Sequence, residues 1–129
     1  MKRITILFVV TSAAASLLAG AFLGRANAAE AKAKYTIKEI MKKGHKGDDN
    51  MAKRVSKGQG SKADITQLVE FYRVMAQLEA PQGDAASWKE KTAKLLKAAE
   101  AVSKGEAGAT EAFKAAVNCK SCHTAHKPD

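Results

Sequence analysis

Near the C-terminal end, Cys119-Lys120-Ser121-Cys122-His123 sets two thiols three residues apart with an imidazole directly after the second. On a helix, residues at i, i+3 and i+4 project from one side, so both sulfurs and the ring face the same space. Two thiols that each add to a porphyrin vinyl group, and an imidazole that rises to the iron between them, need this C-x-x-C-H spacing, the c-type haem attachment pattern. The spacing predicts one covalently attached haem c, bound through Cys119 and Cys122, with His123 as the proximal iron ligand. Three other chemistries compete for these residues. A zinc ion would have to recruit Cys119, Cys122, His123 and His126 from one short helical stretch, which cannot readily surround a tetrahedral ion. A thioredoxin-like redox pair needs a βαβ setting, and a disulfide between Cys119 and Cys122 would close a trivial loop with little entropic gain.

The elements that position this motif read as helices. The chain has 129 residues, 46% hydrophobic and 5% aromatic, with only two prolines, which suits one small domain rich in Ala, Lys, Leu and Glu. No stretch alternates polar residues with β-branched ones, so there is nothing from which to build a sheet. Thr36-Ile37-Lys38-Glu39 is a capping box, which predicts a first helix from there to before Gly58-Gln59-Gly60, with Gly44, Gly47 and Asp48-Asp49-Asn50 as places where it bends or breaks. Ser61 to Asp64 is a second such signature, followed by Ile65, Leu68, Val69, Tyr72, Met75, Ala76 and Glu79 at the spacing of one buried stripe. Pro81 and Gly83 stop that helix, and Ser87-Trp88-Lys89-Glu90 predicts a third, burying Trp88, Leu95, Leu96, Ala99 and Val102 up to Gly105. A fourth is expected from about Thr110 through Ala112, Phe113, Ala116, Val117 and Cys119 to about His126. The expected fold is all-α, an antiparallel four-helix bundle with the haem-attachment motif at its C-terminal end. Large side chains are few for such a bundle, which leaves an interior space of the kind a flat apolar cofactor fills.

Residues 1–28 read as an export signal. Met1-Lys2-Arg3 is basic, Ile4 to Gly24 carries no charge, and Ala26-Asn27-Ala28 supplies the small residues a signal peptidase reads. The alternative is an uncleaved membrane anchor, since the uncharged run reaches the roughly 20 residues a bilayer span needs. Cleavage after Ala28 leaves a periplasmic domain of residues 29–129. Lys2, Arg3 and Arg25 would go with the signal, so the 22 basic residues of the whole chain become 19 against 13 acidic ones. That charge is spread as lysines along helix faces, with no Arg cluster or interleaved aromatics, which argues against nucleic acid and for acidic protein partners.

With these features in view, the chain resembles the cytochrome c prime family, the secreted four-helix-bundle cytochromes, as a compact or distant member. The resemblance runs from about Tyr35 onward. It rests on Asn118-Cys119-Lys120-Ser121-Cys122-His123 followed by Lys127, on Val55-Ser56-Lys57-Gly58-Gln59, and on Gly83-Asp84 ahead of Trp88-Lys89-Glu90-Lys91. Where that family often carries an aromatic before the basic residue, this chain has His126. The resemblance implies that the first helix sets the distal side of the iron. Met41 falls nearest the family's distal position, with His45 one turn on along the same face, and either is a candidate sixth ligand. Methionine ligation would raise the reduction potential and a second imidazole would lower it.

The function this implies is single-electron transfer between redox partner proteins with acidic docking faces. Its rival is a five-coordinate haem protein that binds or sequesters NO or CO. No Ser/His/Asp or paired-carboxylate arrangement argues for an enzyme. The family resemblance implies a homodimer through the first two helices as one state, with Tyr72 either at that interface or in the core. The cleft that takes the cofactor is expected to be lined by Met41, His45, Trp88, Phe113 and Cys119, with His126 on the helix surface or beside a haem edge.

Overall fold

In the computed structural model, residues 33–129 are described, and the export-signal reading of residues 1–28 lies outside them. The fold grows from local caps. Thr36 accepts a hydrogen bond from the Glu39 amide while Glu39 reaches back to the Thr36 amide, and this closes the start of α1 (Ile37–Ile40). The chain then widens into a π-helical segment, Met41–His45. After a turn, Asn50 caps α2 (Met51–Ser56) by accepting from the Lys53 amide at 2.9 Å. The first predicted helix is therefore three pieces. It breaks where the Gly-Asp-Asp-Asn run, poor in helix formers, follows His45.

Ser61 and Asp64 form the second capping box, and α3 runs Lys62–Met75; it starts where the sequence predicts but ends short of Ala76 and Glu79, the last residues of the predicted stripe, and Glu79 is exposed. Helix α4 spans Ala85–Lys104 and opens earlier than Ser87, because Asp84 is the residue that caps it, accepting from the Ser87 amide at 2.6 Å. It ends at Gly105, whose φ of 70° is the left-handed conformation of a helix C-terminus. The predicted fourth helix is two: α5 (Ala109–Ala116) and α6 (Cys119–His126). Val117 leaves helical geometry with ψ of 66°, and the Asn118 side chain starts a new helix by accepting from the Ser121 amide at 2.9 Å. Among the described residues the secondary structure is all helix, and no helix there is long and apolar enough to cross a membrane.

Helix α4 is the central strut, packed against α3 on one side and α5 on another, while α2 bridges α3 and α5 and α6 rests on α4. The core is Ile40, Val55, Leu68, Phe71, Tyr72, Met75, Trp88, Ala99 and Phe113. Phe71 enters it although the predicted stripe passes it by, since α3 is covered on a wider face by both the first segment and α4. Tyr72 is core, not surface, at 0% exposure. Gly44 lets the first segment approach α3 closely: a Cβ there would lie 3.3 Å from Phe71 Cδ2 and 3.4 Å from Leu68 Cδ2. Arg54 of α2 grips Asp64 of α3 with two hydrogen bonds, at 2.6 and 3.2 Å.

Candidate functional site

The break between α5 and α6 matters because of what it aims. Capped at Asn118, α6 opens with Cys119, so its first two turns carry both thiols and His123. Cys119 and His123 are exposed and Cys122 is half-buried, with both cysteines as free thiols. Burial pushes the Cys122 thiol up from its ordinary value, while the Lys91 ammonium opposes this and Cys119 adds to it.

These three side chains line a cleft of about 400 Å³ together with Met41 and His45 from the π segment, a size usual for a small-ligand site. Met75 of α3, Leu95 of α4 and Val117 at the α5–α6 break add apolar lining. Met41 and His45 lie four apart on the π segment and reach the same space. Desolvation, and secondarily the charge of His123, draws the His45 pKa down to about 4, so its imidazole is neutral at ordinary pH. The electrostatic influence of His123 on His45 reflects their shared cleft. His45 Nε2 also meets the Tyr72 hydroxyl at 3.2 Å. Desolvation raises the Tyr72 pKa, so the phenol keeps its proton.

Comparison of the chain with protein-family models, with curated proteins and with solved structures found no match. The site therefore stands on its own chemistry.

That chemistry fits a c-type haem. Two free thiols and an imidazole come from one short helix, a thioether and a second imidazole come from the π segment, and Met75, Leu95, Ala115, Ala116 and Val117 add apolar wall between polar residues at the border. The tetrahedral zinc alternative does not fit, because His126 is turned away from the cleft. It is 2% exposed, its Nδ1 meets the Gln82 carbonyl at 2.9 Å and its Nε2 meets Ser87 Oγ at 3.2 Å. Among the described residues no three His, Cys, Asp or Glu side chains gather as a metal site.

The structure corrects three sequence-based placements. His126 is not on the helix surface: it packs against Trp88 with ring centroids 5.3 Å apart and pins the chain terminus to the α3–α4 turn. Gly83 allows that contact, since at φ of 80° a side chain would be strained and its Cβ would strike the Ala125 carbonyl. Trp88 does not line the cleft, being held in the core by a 2.8 Å hydrogen bond from Nε1 to the Leu78 carbonyl. Phe113 is fully buried beside Tyr72, with centroids 6.2 Å apart, and also stays out of it. Sequence reasoning missed the Tyr72 hydroxyl as a partner of the site. The only sequence signal for it was a polar tip on an otherwise apolar stripe.

Proposed function

We propose that this chain is an exported, periplasmic mono-haem c-type cytochrome that passes single electrons between redox proteins. The observation that supports this most strongly is the meeting of Cys119, Cys122 and His123 with Met41 and His45 around one cleft. The fold is read as an antiparallel four-helix bundle of the cytochrome c prime type. Its first member is α1 through α2, α3 and α4 are the second and third, and α5 with α6 is the fourth.

In this reading Cys119 and Cys122 hold haem c covalently and His123 is the proximal ligand. A bound haem supplies reversible one-electron chemistry. The chain's own residues do the rest. Leu95, Met75 and Val117 supply apolar walls to the cleft, and Lys91 and Lys94 at its border favour acidic faces on redox partners. The reading assigns no catalytic residue.

The second reading, a five-coordinate iron that takes NO or CO, requires Met41 to stay off the iron as well, since of the two distal candidates His45 Nε2 is already engaged by Tyr72. Export of the protein in a host that attaches haem c, followed by mass measurement under denaturing conditions and absorption spectra with and without CO, tests both. Covalently bound haem with low-spin bands that CO barely shifts supports the electron carrier. High-spin bands that CO shifts at once support gas binding, and a chain without covalent haem excludes both.

A further inference from the structure

The cleft offers two distal donors, Met41 and His45, and their surroundings differ. His45 is tethered at both ends. Its carbonyl accepts a 3.0 Å hydrogen bond from Asn50 Nδ2, and its ring meets the Tyr72 hydroxyl at 3.2 Å. Tyr72 is 0% exposed and wedged beside Phe113 on α3, so its hydroxyl must find a partner inside the protein. Among the described residues no buried side-chain nitrogen or oxygen lacks one, and for Tyr72 that partner is His45.

The burial of the Tyr72 hydroxyl against His45 Nε2 sets the direction of the bond. The Tyr72 O–H donates to His45 Nε2, because the reverse would leave the phenol proton without an acceptor. An imidazole that accepts at Nε2 carries its own proton on Nδ1, so neither ring nitrogen has a lone pair free for a metal. Met41 carries no such tie and lines the same cleft. We propose that Tyr72 is a positioning residue for the haem site: its hydroxyl holds His45 off the iron and leaves the sixth coordination position to Met41. The proposal rests on the haem-binding reading above and goes beyond it, since it names the group that selects between two available ligands.

The test uses the exported holoprotein, with covalent haem verified by mass and helix content by circular dichroism. Wild type is expected to show the weak far-red sulfur-to-iron charge-transfer band of methionine ligation, and His45→Ala is expected to keep it. Met41→Ala is expected to lose that band and become high-spin and CO-reactive, because Tyr72 still restrains His45. Met41→Ala combined with Tyr72→Phe is expected to return to low-spin as the freed imidazole binds, with a lower reduction potential than wild type. The proposal is overturned if Met41→Ala is already low-spin, if the double variant stays high-spin, or if His45→Ala abolishes the sulfur band. In each of those cases the haem is present and the cytochrome reading survives, whereas a wild-type chain without covalent haem removes both.

Discussion

At the level of single residues, the proposed cytochrome gives Cys119, Cys122 and His123 separable duties. Cys119→Ser or Cys122→Ser is expected to leave haem attached through one thioether or none, read as a changed pyridine haemochrome spectrum. His123→Ala is expected to keep covalent attachment and lose proximal ligation, seen as altered spin state with unchanged mass. Away from the cleft, Asp64 shows how a carboxylate couples the fold to acid. Its hydrogen bond from Arg54, helped by the Ser61 amide, holds its pKa at about 2 against an ordinary 3.8. The folded state thus binds the proton more weakly than the unfolded chain, so this contribution is complete above pH 3.8 and is lost as pH falls from 3.8 toward 2. Asp64→Asn should unfold with a flatter pH dependence across that window in acid titrations followed by circular dichroism. An unchanged acid limb would show that the Arg54 contact contributes nothing.

At the level of elements, the caps and the glycine contact decide how the site is built. Ser61→Ala removes the hydroxyl that accepts from the Asp64 amide and should cost about 1 kcal/mol in urea unfolding. Gly44 carries a different load, because it sets how closely the π segment approaches α3. Gly44→Leu would press on Phe71 and Leu68, and overpacking of this kind costs about 1–3 kcal/mol. It should also displace Met41 and His45 from the cleft, so in the proposed cytochrome a loss of low-spin bands should accompany the lower stability. Helix α3 was legible from its capping box and its stripe. The split between α5 and α6 was not, because a continuous apolar period runs through Ala116 and Val117, and only the Asn118 cap shows where a new helix begins.

At the level of the molecule, a small core places each aromatic under strong demand. Phe113 is 0% exposed and lies beside Tyr72, which in turn meets His45. Phe113→Ala should destabilise the protein by about 3–5 kcal/mol, measured by denaturant unfolding. The excess of lysine makes a second whole-molecule statement. In the proposed electron carrier, exchange with an acidic redox partner should slow as ionic strength rises, because salt screens the exposed charges that steer the encounter. A rate that does not change across a salt series would remove charge from the docking account.

The amino-acid sequence by itself determined what depends on near neighbours: the all-α class, the capped starts at Thr36 and Ser61, and the thiol–thiol–imidazole spacing of Cys119, Cys122 and His123. These follow from hydrogen bonds and side-chain directions within one or two helical turns, which periodicity reports directly. The tertiary structure alone decided which distant side chains share the cleft. Met41 and His45 face it, Trp88 and Phe113 do not, and His126 is buried through contacts with Gln82 and Ser87. The bond from Tyr72 to His45 spans two helices and a turn. Such contacts are set by how α3 and α4 pack against the α1–α2 segment and against α5 and α6, and no local pattern encodes that packing.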